Sequence, residues 1–227
     1  MGYIMCSQTS INRKNIKNPS IYFMVKRLID FILSLSSIIL LMPLFIVIGF
    51  LIKRDSKGPA IFKQKRYGKN KEPFYIYKFR TMRLDAPKNV STKELKDSKN
   101  YITKIGGVLR RTSLDELPQL FNILVGQMSI VGPRPVVLKE KNLIIARDLY
   151  GANDIKPGIT GWAQINGRDK LSVTEKARLD GYYVENMGLL MDFKCFFKTI
   201  KYVLKGEDIL EGGDGIDLSI KDSMPII

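Results

Sequence analysis

Two adjacent carboxylates, Asp115 and Glu116, stand just behind two guanidinium groups, Arg110 and Arg111, and just ahead of Pro118 and an apolar helical run. The chain has no histidine, so Ser-His-Asp triads and HExxH zinc sites are excluded. A carboxylate flanked by basic side chains can act as a nucleophile or ligate a metal ion, and arginines suit phosphate because their planar forks grip two oxygens. The leading candidate for a reaction centre is therefore this acidic pair, acting on phosphate. A further guanidinium, Arg134, is held between Pro133 and Pro135 in a rigid turn after Gly132.

The same residues also have a purely structural reading. Ser113, Leu114, Asp115 and Glu116 match a capping box, and acidic residues are favoured in a first helical turn. Pro118 weakens that reading, because a helix capped by Ser113 would put proline where a hydrogen bond is already needed. The expectation is a helix starting at Asp115 or Glu116, with Pro118 in its first turn. Capping and catalysis remain compatible. A carboxylate beside Arg110 and Arg111 is expected to stay ionised.

The elements that must position this centre follow from pattern. Residues 60–82 read as two strands with a turn at Gly68, Lys69, Asn70 and Pro73, and they carry Lys63, Lys65, Arg66, Lys78 and Arg80. Residues 83–101 read as a polar surface loop, a candidate lid. Leu117, Leu120, Phe121 and Leu124 recur at helical spacing, and a short strand over 128–131 leads to the proline turn. Helices are expected at 137–150, 172–186 and 192–205. The Gly-rich stretch 156–168 leaves many backbone N–H groups available to wrap a phosphate, or is a plain turn-rich connection. The tail from Gly206 reads as loosely ordered.

Composition sets the setting. With 227 residues and 45% apolar content the chain can bury a core, and a net charge of +15 calls for an anionic partner. The two cysteines, Cys6 and Cys195, lack metal-ligand spacing and suit a reducing compartment. From Leu28 to Ile52 the chain is almost wholly apolar, long enough at about 37 Å to cross a bilayer core as a straight helix. Pro43 interrupts it, and serines 34, 36 and 37 could satisfy carbonyls freed there. Lys26 and Arg27 precede the run, while Lys53, Arg54 and Lys57 follow it. Positive charge on both flanks favours a re-entrant helix with both ends on the cytoplasmic face over a full span. The basic segment behind it suits an anionic phospholipid surface.

In order, Lys26-Arg27-Leu28-Ile29-Asp30, the apolar stretch broken by Pro43, Lys78-Phe79-Arg80-Thr81-Met82, Ser113 to Gln119, Val131 to Pro135 and Lys156 to Trp162 resemble the bacterial sugar transferases. These are the monotopic phosphoglycosyl transferases of polysaccharide and glycoprotein assembly. The resemblance covers residues 26–205. It implies a membrane-associated α/β (α+β) protein with a basic extension (1–25), a re-entrant membrane helix broken at Pro43 (26–57), a small cytosolic catalytic domain of mixed helices and strands (58–205) and a flexible tail (206–227).

The implied reaction moves a sugar-1-phosphate from a UDP-sugar to undecaprenyl phosphate on the cytoplasmic face of the bacterial inner membrane. UMP is released through a phosphosugar–aspartate intermediate, with Mg²⁺ required. Carried onto this chain, Asp115 is the nucleophile, Glu116 its partner toward the metal or the acceptor, and Arg110 fixes the dyad. Arg134, shaped by Pro133 and Pro135, holds the nucleotide, with Arg111, Lys78 and Arg80 as further substrate-binding groups. Lys26, Arg27 and Pro43 serve the membrane segment.

Two other classes compete. A membrane-tethered nucleic-acid binder would use Phe74, Tyr75, Tyr77 and Phe79 for stacking, but no known nucleic-acid motif accompanies them, so none is expected as a partner. A metal-dependent glycosyltransferase that leaves the phosphate behind is disfavoured by the lack of an Asp-x-Asp triplet. The sugar, with residues 83–101 and 164–169 as candidate selectors, and the oligomeric state, a homodimer included, stay open.

Overall fold

The computed structural model describes residues 18–87, 98–167 and 170–205. Most of the basic extension, the middle of the expected lid, Arg168, Asp169 and the tail lie outside the described residues.

The first element, α1 (Pro19–Asp55), is 37 residues long. Proline suits its first position, where no N–H is needed, and Lys53 and Arg54 complement the negative end of the helix dipole. Tyr22, Asp30, Ser34, Ile38, Ile48 and Ile52 form a buried stripe at helical spacing along it. Most other faces are apolar and exposed, among them Leu28, Ile32, Leu40, Ile46 and Phe50. It is the one described helix long and apolar enough to cross a membrane.

The expected break at Pro43 does not end the helix, which continues through that residue. A proline inside a helix costs roughly 3 kcal/mol. Burial of Ile38, Ile48 and Ile52 on its two sides contributes about 1.5–3 kcal/mol for each side chain, which outweighs the loss. Nor do the serines repair it. Ser34 donates to the Phe31 carbonyl, and Ser36 donates to the carbonyls of Ile32 and Leu33.

A β-hairpin follows. Strands β1 (Ile61–Tyr67) and β2 (Pro73–Phe79) pair antiparallel in register from Ile61↔Phe79 to Tyr67↔Pro73. Asn70 and Lys71 have positive φ at the turn (55° and 62°), a conformation that Asn70 tolerates well. The helices α2 (Ser98–Tyr101), α3 (Lys104–Arg111) and α4 (Gln119–Leu124) come next, then β3 (Ser129–Val131) and β4 (Val136–Val137). β4 pairs with β1, giving a sheet ordered β2-β1-β4. The expected helix from Val137 therefore starts later, as α5 (Lys141–Asp148), because Val136 and Val137 are used by the sheet.

The remainder is β5 (Gly158–Thr160), parallel to β3, then α6 (Trp162–Ile165), α7 (Val173–Glu185) and α8 (Leu189–Lys205). Ser172 and Glu175 form a reciprocal capping box on α7, and Asn186 ends it, as expected for 172–186. The mixed helix/strand class holds.

Both ends of α1 are fastened to this body. Near its start, Tyr22 and Lys26 reach Asp192 of α8 at 2.9 and 2.8 Å. Arg27 donates to the last carbonyls of α4, those of Ile123 (2.6 Å) and Leu124 (2.7 Å). Asp30, buried, accepts from the Ile130 N–H. Near its other end Phe45 packs on Phe79 and Phe121, and Asp55 accepts from the Ile105 N–H. Lys26 and Arg27, expected to serve the membrane, thus hold protein groups.

Candidate active site

The acidic pair is placed by two neighbours, α3 and β2. Thr103 caps α3, its hydroxyl accepting the Gly106 N–H at 3.0 Å. Gly106 lies so close to the end of β2 that a Cβ there would sit 2.1 Å from the Thr81 carbonyl oxygen. This contact sets α3 on the strand, and Arg110 Nε then donates to Thr81 Oγ1 at 2.8 Å. The chain turns sharply at Ser113, whose φ of 56° is left-handed. A single 3-10 turn, Leu114–Glu116, carries the carboxylates, and Pro118 leads into α4.

The capping-box reading fails here for a geometric reason. An N-cap residue needs extended backbone, which a left-handed Ser113 lacks, and its side chain makes no capping bond. The expected helix start moves as well, from Asp115 or Glu116 to Gln119.

Asn122 of α4, fully buried, sets the distance to β2. Its Oδ1 accepts the Tyr77 N–H (3.0 Å), and its Nδ2 donates to the Tyr75 carbonyl (2.7 Å) and to Gln127 (2.8 Å). The amide thus completes the outer edge of β2 and locks α4 beside it. Lys78, on the same strand, is thereby brought to Glu116, Nζ to Oε1 at 2.6 Å. Arg134 grips the same carboxylate with Nη2 to Oε1 at 2.7 Å and Nη1 to Oε2 at 3.4 Å. Burial favours the protonated form of Glu116, but Arg134 and Lys78 outweigh it and hold the carboxyl well below its ordinary range.

Asp115 is different. Among the described residues no group hydrogen-bonds or ion-pairs with its carboxylate. Burial first, then the charge of Glu116, push its pKa above the ordinary value against the pull of Lys78, Arg110 and Arg134. One carboxylate is clamped by two cations, and its neighbour is left available in a field of positive charge. This differs from the sequence reading in degree, since desolvation, and not the arginines, dominates Asp115.

The proline turn is held by its carbonyls. Pro133 O accepts the Gly158 N–H (2.8 Å), Arg134 O accepts Arg147 Nη1 (2.9 Å), and Pro135 O accepts Arg66 Nη1 (3.1 Å). Arg66 is braced by Gln64, and Arg147 by buried Asp180 at 2.6 Å. Pro133 and Pro135 are buried while Arg134 is exposed, so the turn presents one guanidinium. Strand β5 and its flanks press on this turn. Cβ atoms at Gly158 or Gly161 would sit 2.1 Å from backbone atoms of Gly132. Within residues 156–167 the N–H groups of Gly158 and Ile165 are taken by protein carbonyls, and the loop braces the turn.

A shallow, open depression adjoins the dyad, lined by Arg66, Ile76, Lys78, Gln119, Arg134 and Pro135. Lys78 and Arg134 belong to both. Two candidates lie elsewhere. Arg80 is buried, and its guanidinium donates to the carbonyls of Ser56 (2.7 Å) and Lys57, closing the end of α1. Strand β2 ends at Phe79, so Arg80 no longer follows the alternation that points Lys78 at Glu116. Arg111 is exposed and runs back along α3 beside Gly107. Of the two arginines, Arg110 and not Arg111 adds to the pull of Lys78 on Asp115. Sequence reasoning missed Asn122, Arg147 and Asp180 as braces, and no local motif marks them.

The described residues hold no cluster of three or more acidic, cysteine or histidine side chains for a metal. Mg²⁺ is nevertheless commonly bound by one or two carboxylates together with substrate phosphates and water. Asp115 offers such a ligand, whereas both oxygens of Glu116 are already engaged by cations.

Comparison with known proteins agrees with this architecture. The profile of the family described as bacterial sugar transferase matches residues 21–206. The exopolysaccharide production protein PSS of Rhizobium leguminosarum bv. phaseoli is 39% identical over 186 residues, covering 78% of this chain and 93% of that protein. The uncharacterized sugar transferase EpsL of Bacillus subtilis is 39% identical over 192 residues, covering 82% and 90%. A UDP-glucose:undecaprenyl-phosphate glucose-1-phosphate transferase of Klebsiella pneumoniae is 43% identical over 184 residues, and the aligned part is 39% of that longer protein. With its dyad, proline turn and apolar first helix inside the matched span, the chain belongs to the bacterial sugar transferase family of enzymes.

Proposed function

We propose that this enzyme transfers a sugar-1-phosphate from a UDP-sugar to undecaprenyl phosphate, releasing UMP, and so starts the assembly of a polysaccharide or glycoprotein glycan. The observation that carries the reading is the division of labour in the dyad. Asp115 is unpaired among the described residues, while Glu116 is clamped by Lys78 and Arg134. The names of the relatives that act on undecaprenyl phosphate support the substrates.

In this mechanism an Asp115 oxygen attacks the phosphorus bearing the sugar. The bond from that phosphorus to the UMP oxygen breaks, and a sugar-phosphoryl aspartate remains. A phosphate oxygen of the lipid acceptor then attacks the same phosphorus and frees Asp115. Arg134 and Lys78 stabilise the charge on the transferring phosphoryl group, and Lys78 with Arg110 draws Asp115 toward its ionised, nucleophilic form. Glu116 holds those cations in place before substrate arrives. Bound Mg²⁺ would neutralise diphosphate charge, with Asp115 the available carboxylate ligand.

The re-entrant path of α1 is part of the proposal, with the catalytic body on the cytoplasmic face of the bacterial inner membrane against anionic phospholipid. Arg27 and Phe45 are 18 positions apart, about 27 Å along a straight helix, yet they reach Ile123, Leu124 and Phe121 of one short helix. A bend near the middle of α1 brings both within easy reach. The test is the released nucleotide with undecaprenyl phosphate as acceptor. UMP, lost in Asp115→Asn, supports the reading; UDP overturns it.

A further inference from the structure

We propose that Lys156 and Arg27 form a site for the phosphodiester of an anionic phospholipid headgroup, an inference that rests on the membrane placement of α1 proposed above. The two side chains come from distant parts of the chain and meet at Gly126, just past the end of α4. A Cβ on that glycine would lie 3.3 Å from Arg27 Nη2 and 3.5 Å from Lys156 Nζ. The missing side chain thus leaves a notch flanked by a guanidinium and an ammonium.

Like charges held this close call for an anion. Arg27 is partly compensated by the Ile123 and Leu124 carbonyls, which use two of its five N–H groups and leave others for a ligand. Lys156 has no such relief. Among the described residues its ammonium makes no hydrogen bond and no ion pair. It is half-buried, and desolvation with the charge of Arg27 pushes it below the ordinary lysine pKa. Asp30 pulls the other way, but its carboxylate is buried and accepts the Ile130 N–H. Lys69, exposed at the hairpin tip, adds further positive charge.

A phosphate suits this notch, because its several oxygens can accept from a guanidinium and an ammonium together. The rim favours a phosphate carried by a lipid. Val125, which precedes Gly126, and Phe121 one turn earlier are exposed, as are Met24, Leu28 and Phe31 within four residues of Arg27. Acyl chains can cover that apolar rim, and a soluble phosphate cannot. Basic pockets at a bilayer face bind anionic headgroups in this way, each cation being worth about fivefold in affinity. The acceptor's phosphate is a poor occupant. It must meet phosphorus at Asp115, which precedes α4, whereas Arg27 holds the carbonyls at the far end of that helix.

Native mass spectrometry of the full-length protein in detergent tests the site. Titration with phosphatidylglycerol or phosphatidylcholine of the same chains reads the affinity of the first bound lipid. The wild type is expected to favour phosphatidylglycerol by about fivefold or more, since the cations repel choline. Lys156→Gln brings that preference to within about twofold, and Lys156→Arg restores it. Lys141→Gln, which removes an exposed lysine at the start of α5, leaves it unchanged. Glycerol 3-phosphate, the phosphate without the chains, does not displace the lipid. In phosphatidylcholine nanodiscs the KM for undecaprenyl phosphate stays within about twofold of wild type in Lys156→Gln.

A preference that survives Lys156→Gln, or that falls equally in Lys141→Gln, overturns the proposal. So does displacement by glycerol 3-phosphate, which would make the notch a site for soluble phosphate. A rise of about fivefold in acceptor KM would assign the cations to undecaprenyl phosphate and also overturn it. Wild-type protein that fails to float with phosphatidylcholine vesicles would sink the membrane placement of α1 instead, a result distinct from any of these.

Discussion

The buried pair of Arg147 and Asp180 gives the sharpest test of how the proline turn is held. Nε and Nη2 of Arg147 lie 2.8 and 2.6 Å from Asp180 Oδ2, and their side chains are 5% and 2% exposed. Removing one member of such a pair typically costs about 3–5 kcal/mol, because the other charge stays buried. The two deletions are not equivalent. A guanidinium cannot shed its proton, so Asp180→Asn leaves an uncompensated cation and takes the full cost. Burial already pushes the Asp180 carboxyl above its ordinary value even against Arg147. In Arg147→Met that carboxyl therefore protonates and escapes part of the cost, leaving roughly 1–3 kcal/mol for the lost hydrogen bonds.

At about 2–4 °C per kcal/mol for a chain of this size, Asp180→Asn lowers the melting temperature by roughly 6–20 °C and Arg147→Met by less. The sign with pH follows from the raised folded-state pKa of Asp180. The folded protein binds the extra proton, so Arg147→Met regains stability as pH falls from the folded value toward the unfolded one, where the gain is complete. Melting in detergent, followed by the fluorescence of Trp162, reads both quantities. Equal losses in the two variants, or an Arg147→Met melting curve unmoved by acid, would refute the reasoning.

Three further outcomes follow from the same structure. The acid limb of kcat/KM, which reports the free enzyme, lies above the ordinary aspartate value because Asp115 is pushed up and activity is lost as pH falls through its pKa; a limb at or below about 3.9 contradicts that. Arg80→Met strips donors from the carbonyls at the end of α1 and costs about 3 kcal/mol, with donor KM within about threefold of wild type; a large KM rise without destabilisation would return Arg80 to substrate binding. Asn122→Leu removes three hydrogen bonds between α4 and its neighbours and destabilises by about 2–4 kcal/mol; a variant melting like wild type would deny the amide its role at the β2 edge.

The pieces legible in the sequence are those with local causes. The β-hairpin was marked by Gly68, Asn70 and Pro73, and α7 by the Ser172 capping box with Glu175. The dyad and the Arg134 turn were legible from residue type and spacing. Lys78 at Glu116 could be named as a candidate but not placed, since the contact depends on how Asn122 seats α4 on β2. Arg80 looked identical in kind to Lys78, and only the end of β2 at Phe79 separates their fates. Arg147 and Asp180, 33 residues apart, meet only through the packing of α5 on α7. Ser113 misled because a capping pattern does not reveal a left-handed backbone.

The central claim is that Asp115, unpaired among the described residues beside a clamped Glu116, becomes covalently loaded. Its most direct test is the intact mass of the protein after incubation with UDP-sugar and Mg²⁺ in the absence of lipid acceptor. The wild type should gain one sugar-phosphate, mapped to Asp115 and discharged by undecaprenyl phosphate, and Asp115→Asn should gain none. An unmodified wild type that still turns over, or an adduct that persists in Asp115→Asn, would contradict it.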